Sequence, residues 1–487
     1  MDRRTFLHAA GATSLALGAR PGLCAEDASI GALLDVVESS PREHLPAALA
    51  NRIHGGLRYE DLRAALFLAA VRNVQPYPDV GFKYHAIMVL RSMDLTTQHL
   101  PEADRWLPIF WAADYFKATQ AEERATSGWH MRERMPRRET TAREARRHLI
   151  SALDSWDRDA ADQAIVDYAS LAPAEEILAL LFAYGMRDLR AIGHKAISVC
   201  NAHTLVSLLG GAHATVILRS TVAALQNSGD DPDPAAHDLS PDMPYRHNQP
   251  LAATLPSSWK SGRNDAGARA ELRAALYRAA PEEAGAVAAG MLRQGVSADA
   301  IWQALFDTAA ELIVIEPSIL SLHAQTSANA LHYAYRHSGE EETQKLALLQ
   351  CAAFVAMFRA MGGANEQQYR LDAEEPLPLS GSSHEAVEEI FTEVSAGRRK
   401  QAARKALGYL QAGGDRERLI AATRHHFVYH AAEPHDYKYP EAVFDTESSL
   451  TDDTWRRRFL SAGLALFKAP APHPSRIVQE TLELLKS

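Results

Sequence analysis

Four histidines stand in similar surroundings along this 487-residue chain. They are His85 in Tyr84-His85-Ala86-Ile87, His194 in Gly193-His194-Lys195-Ala196-Ile197, His323 in Leu322-His323-Ala324-Gln325-Thr326, and His435 in His435-Asp436-Tyr437-Lys438. The last segment is the richest in chemistry. It lies between Pro434 and Pro440 and beside Tyr437 and Tyr439, and His435 precedes Lys438 by three residues. On a helix that spacing puts both side chains on one face. Imidazole suits iron, copper, nickel and zinc, and several neutral imidazoles joined by an anionic oxygen donor suit iron in particular. Four histidines make a more crowded set than the common triad of two histidines and one carboxylate. They leave fewer open positions.

Other histidines compete for attention, since the chain holds 21 and most must be surface or hydrogen-bonded residues. His426 and His430 are four apart, share a helical face and suit zinc, but no His-Glu-x-x-His pattern or cysteine partner accompanies them. His430 is also an alternative to His435 as a fourth ligand. His203 and His332 each follow a member of the set by nine residues, about two and a half turns, and so point to the opposite side of a helix. No Gly-x-Gly-x-x-Gly, Walker-type loop or Gly-x-Ser-x-Gly elbow occurs, which argues against nucleotide-binding and serine-hydrolase chemistry.

The elements that must position these residues read as helices. Alanine, leucine, glutamate and arginine abound, and alternating β-branched runs are scarce, which favours an all-α protein. Tyr59 to Val71 carries Leu62, Ala65, Leu66 and Ala69 on one face; Pro76 and Pro78 break it before the His85 segment, and Trp106 to Phe116 follows. The same order recurs three times. Ala174 to Met186 precedes His194, with Ala214 to Leu225 after it. Ile301 to Ile315 and the Glu316-Pro317 break precede His323, with Leu346 to Phe358 after it. Leu419 to Val428 and the Glu433-Pro434 break precede His435, with Trp455 to Phe467 after it. Four units at a period of roughly 110 to 130 residues predict a helical, repeat-like bundle that gathers four histidines at a common centre.

Between the units the chain changes character. Residues 227–265 hold six prolines among many polar residues and read as a long loop, in which Tyr245, His247 and Trp259 are candidates to face a ligand. Residues 362–383 read as a second irregular stretch. Arg132 to Arg147, dense in arginine and glutamate, reads as a solvated helix with internal ion pairs.

The formal charge of −10 gives no reason to expect nucleic-acid binding. Residues 1–25 read as a signal segment: Asp2-Arg3-Arg4-Thr5-Phe6-Leu7 is a twin-arginine signature, an apolar run to Ala19 follows, and Leu23-Cys24-Ala25 offers a cleavage site. Removing it takes away three arginines and one aspartate and leaves a charge of −12. The expectation is a periplasmic or secreted protein carried by the twin-arginine machinery, a route for proteins folded around a cofactor. Cys200 and Cys351 lie in apolar helical contexts and read as buried thiols.

The histidine segments resemble those of the questin oxidase-like family. Leu322-His323-Ala324-Gln325-Thr326 is similar to its His-x-x-Thr segment and His435-Asp436-Tyr437-Lys438 to its late His-x-x-Lys segment, while the His85 and His194 segments resemble its two earlier ones. The resemblance covers most of residues 50–445. It departs where the family often has a second histidine close behind the first: Met88 or Val89, and Ser198 or Val199, stand there instead. The resemblance implies a single helical domain over 26–487 and oxidative ring opening of anthraquinone-type compounds. It implies iron(II) held by His85, His194, His323, His435 and a carboxylated Lys438. Such a lysine, shielded from water, stays neutral, reacts with carbon dioxide and becomes an anionic oxygen ligand.

The sequence thus points to an exported non-haem iron oxygenase that uses molecular oxygen on a small aromatic or quinone-like substrate, with Lys438 supplying charge and Tyr437 or Tyr439 orienting substrate or donating a proton. A non-catalytic helical-repeat binding protein and a zinc- or copper-binding protein are the alternatives.

Overall fold

Helix follows helix through the described residues, and no β-strand occurs among them. The computed structural model describes residues 23–76, 83–138, 140–229, 231–379, 383–467 and 473–486. Of the expected signal segment, residues 1–22 lie outside these.

The repeated order of elements is a repeated packing. Four helices carry the histidines: His85–Thr97, His194–Leu209, Ile319–His337 and His435–Ser449. Each packs against the helix that precedes it in its unit, namely Tyr59–Asn73, Ala174–Gly185, Ala298–Ile315 and Arg416–His430. Each also packs against a helix that follows it: Leu107–Thr126, Ala214–Leu225, Glu341–Gly362 and Asp453–Gly463. These flanking helices bury their apolar stripes (Leu62, Leu66, Leu181, Leu305, Leu348 and Phe459 are each at most 1 % exposed), and that burial drives the assembly. The helix Glu341–Gly362 is long and apolar enough to cross a membrane, but two thirds of its most apolar stretch is buried inside the protein.

The four histidine helices close a ring. The His85 helix touches the His194 and His435 helices, and the His323 helix touches the same two. Polar contacts lock the seams. The Asn201 amide donates to the Met88 carbonyl (2.8 Å), the Cys200 thiol to the Ala330 carbonyl (3.1 Å) and the Thr96 hydroxyl to Glu441 (2.9 Å), while the Asn329 amide donates to Asp445 (2.8 Å) and Thr446 (3.2 Å). The histidines meet at or near the helix starts and these bonds join residues further along, so all four helices run away from the histidine end in the same direction. Glu441 is also gripped by Arg424 at 2.9 and 3.1 Å. Breaking such a buried pair costs about 3–5 kcal/mol, which ties the His435 helix firmly to its neighbours.

Cys200 and Cys351 are buried free thiols. Two expectations need correction. The stretch 227–265 is not one long loop: it contains the helix Met243–Ala253, which tolerates Pro244 in its first turn and carries Pro250 inside. Trp259 is buried there and donates to Glu341 (3.0 Å), Tyr245 is half-buried, and His247 is exposed. Nor is Arg132 to Arg147 one ion-paired helix. The helix starts only at Ala142, behind a capping box of Thr141 and Glu144. Arg134 and Arg137 lie before it and pair with Asp159, Asp162 and Asp167 on the next helix. Residues 363–379 are irregular apart from a short 3-10 turn at Leu371–Ala373, and Arg458 anchors them by its bonds to the Leu371 and Glu374 carbonyls.

Candidate metal centre

His85, His194 and His435 are each the first residue of their helix, and His323 lies one turn inside its own. The ring of helices therefore sets the four imidazoles edge to edge. Ring centroids are 5.0 Å apart for His85–His194, 4.7 Å for His194–His323, 5.1 Å for His323–His435 and 4.5 Å for His435–His85. One ligand nitrogen from each lies within 4.8 Å of the other three, the only such group of three or more histidine, cysteine or acidic residues among the described residues. Three of the rings are buried; His435 keeps 11 % of its side chain exposed.

Two pairs of Nε2 atoms face each other, His194–His323 at 2.9 Å and His85–His435 at 3.0 Å. The opposite nitrogens fix what those atoms are. The Nδ1–H of His323 donates to the Ile319 carbonyl at 2.7 Å, His194 donates to the Ala191 carbonyl, and His435 Nδ1 meets the Glu433 carboxylate at 3.3 Å. A neutral imidazole with Nδ1 as donor has a bare lone pair on Nε2. With those tautomers two lone pairs point at each other between His194 and His323, an arrangement that a cation between or beside them would stabilise. A proton is a poor candidate: burial pushes the His323 ring down to about 3 and His85 and His194 well below their ordinary range. The four histidines could hold a metal ion, and Ile319, Ala191 and Glu433 are the partners that would orient them.

The His194 corner is strained. Ala191, Ile192 and Gly193 all have left-handed backbone (φ 53°, 44° and 86°). For a β-branched residue such as Ile192 this is costly, of order 1–3 kcal/mol, and it persists only when the surroundings enforce it. They do. Arg190 forms a buried two-pronged pair with Asp242 (2.9 and 2.6 Å), Lys195 pairs with Asp188 (2.7 Å), and Ser327 donates to the Ile192 carbonyl (3.3 Å). The segment read from sequence as a loop thus supplies Asp242 and the Pro232 carbonyl that brace this turn.

Lys438 lies one turn beyond His435, on the same face, and is 4 % exposed. Its Nζ is buried with no hydrogen-bond partner, and burial pulls the amine down to about 7. Its charge bears on all four imidazoles. The corresponding third residue after each other histidine is Met88, Ile197 or Thr326, all buried, and the Thr326 hydroxyl also lacks a partner.

Tyr437 is not brought to the centre. It packs on the other side of its helix against Trp111 and Phe427. Tyr439 lines the cavity described next, but its hydroxyl is committed to the Gly463 carbonyl at 2.9 Å. His426 and His430, with centroids 5.6 Å apart, stand in the wall of that cavity and not with the other four. His203 bonds Tyr333 and His332 is packed among Trp302, Phe306 and Tyr335, away from the centre.

A cavity of about 500 Å³ adjoins the histidine end of the ring. His435 is in its lining with Ile319, Leu322, Phe427, Phe467 and Arg399. Neither the bracing role of Asp242 nor this cavity was legible from motifs; Glu433, in the break two residues before His435, was the one visible clue. The chain matches no protein-family model, no curated protein and no solved structure.

Proposed function

We propose that this chain is a non-haem iron oxygenase whose iron(II) is held by His85, His194, His323 and His435, with carboxylated Lys438 as the anionic fifth ligand. The substrate is an aromatic or quinone-like molecule in the adjoining cavity. The observation that carries this reading is the pair of bare nitrogens 2.9 Å apart on His194 and His323. With metal–nitrogen bonds of about 2.1 Å, nitrogens at right angles stand about 3.0 Å apart and tetrahedral ones about 3.4 Å. Both close pairs are compatible with ligands to one metal ion, and iron is the ion this proposal names.

The remaining chemistry belongs to the chain. Four neutral imidazoles contribute no negative charge, and three of them sit at helix N-termini, where the helix dipole favours an anion. An unpartnered Lys438 amine whose proton is loosened by burial is suited to take up carbon dioxide and present that anion. Iron bound there supplies activation of molecular oxygen. Leu322, Phe427 and Phe467 exclude water and hold a flat ring beside His435. Export through the twin-arginine route is part of the proposal, since a buried metal centre is best loaded before translocation. The resemblance to the questin oxidase-like family supports the same chemistry.

The test is metal reconstitution under anaerobic conditions with iron(II), zinc(II) or copper(II), followed by oxygen-uptake measurements with a panel of hydroxyanthraquinones. The expected result is substrate-dependent uptake in the iron form alone. Binding of zinc or copper with no uptake by the iron form would instead support a metal-binding protein without oxygen chemistry.

A further inference from the structure

Among the described residues, the cavity beside His435 has one cation without a counter-charge. Arg399 is in its lining, half-exposed, and makes no hydrogen bond or ion pair within the described residues. It stands at the first position of the helix Arg399–Gln411, whose first turn contains no acidic residue. A cation there opposes the helix dipole, so nothing local stabilises it. Its chain neighbour Arg398, by contrast, is paired with Glu393. The acidic groups of the same cavity are already engaged: Glu433 meets His435 Nδ1, and Asp436 accepts from the Ala432 and Glu433 amides at 2.8 and 3.1 Å. The other walls are apolar and aromatic.

We infer that this cavity is built for an aromatic carboxylate, with the ring between Leu322, Phe427 and Phe467 and the carboxylate on Arg399. A planar guanidinium meets a carboxylate through two parallel hydrogen bonds, and the apolar surroundings strengthen that pair relative to water. The inference rests on the reading of this cavity as the substrate site and narrows it from a neutral quinone to an acid. Ile319, 49 % exposed beside the same cavity, gives its rim an apolar lip over which a flat ring can enter.

The experiment is calorimetric titration of the full metal-loaded chain with three probes on one ring: anthraquinone-2-carboxylate, anthraquinone-2-carboxamide and 2-hydroxyanthraquinone. The wild type should bind the carboxylate at least about tenfold more tightly than the amide, the difference expected of a charge-assisted pair. Arg399→Gln should abolish that preference while leaving amide binding within about twofold, and Arg399→Lys should keep part of it. Leu322→Trp, which fills the cavity, should remove binding of all three. Equal binding of carboxylate and amide, a preference that survives Arg399→Gln, tighter binding of the phenol than the acid, or no binding of any probe to folded wild type would each overturn the inference. Because binding is read without turnover, a carboxylate preference in a protein that consumes no oxygen would sustain the acid site and refute the oxygenase reading alone.

Discussion

His194 Nε2 lies 2.9 Å from His323 Nε2, and each ring already spends its other nitrogen on a backbone carbonyl. Without a bound cation this contact is repulsive, and with one it closes the ring of four helices. Metal should therefore stabilise the fold itself. A ligand present at a hundred times its Kd adds about 2.7 kcal/mol. Scanning calorimetry with and without a strong chelator should show a lower Tm in the chelated protein, restored when metal is returned. An unchanged Tm would count against a site that bridges the helices.

Lys438 should show function and stability pulling in opposite directions. Burial brings its folded pKa down to about 7 from 10.5. The unfolded chain thus binds the proton more readily, and the stability this group allows is fully present above 10.5 and lost as pH falls from there to about 7. Lys438→Met removes that penalty. The metal-free variant should be more stable than metal-free wild type at neutral pH by roughly 2–4 kcal/mol, since each tenfold loss of proton affinity is worth about 1.4 kcal/mol. It should also bind metal more weakly. Urea unfolding of the two apoproteins, with metal titrations alongside, checks both signs.

Gly193→Ala should damage the centre without touching a ligand. A Cβ there would sit 1.9 Å from Ser327 Oγ, and the backbone has φ of +86°. The substitution should cost more than about 2 kcal/mol and lower metal occupancy by displacing His194. Adding Ser327→Gly should relieve the clash but not the backbone strain, so recovery should be partial in both Tm and metal content.

His332 offers a pH dependence independent of the metal. Buried among Trp302, Phe306 and Tyr335, with Arg336, His337 and Asp445 as the charged or titratable groups around it, its ring is pushed down to about 3. Stability from the neutral ring is fully present above about 6.5 and is lost as pH falls from there towards 3. His332→Phe should flatten the decline in unfolding free energy between about pH 6 and 4 by up to about 1.4 kcal/mol per pH unit. A slope identical to wild type would contradict the assignment.

Much of this architecture was legible because each unit repeats the same physical signals. An apolar helix, a proline or glycine break and a histidine at or within one turn of the next helix start recur four times, and the packing follows that order. The choice between His430 and His435 was open in the sequence; in the structure only His435 joins the other three. What sequence could not carry was tertiary. Proline normally signals a loop, yet Pro244 opens a helix, and nothing local shows that Asp242 holds Arg190 beside the strained His194 turn. Arg134 and Arg137 find their acids on the helix Arg158–Ala169, beyond the reach of any i, i+4 pattern. Tyr437 neighbours Lys438 in sequence but points away from it, as the helical repeat requires.

The most direct measurement is the metal content of the purified, folded chain, with His323→Ala and His332→Ala compared with wild type. The account predicts about one metal ion per chain in wild type and in the His332 variant, and near-complete loss in the His323 variant. Folded wild-type protein without stoichiometric metal, or a His323 variant that keeps it, would contradict the four-histidine centre.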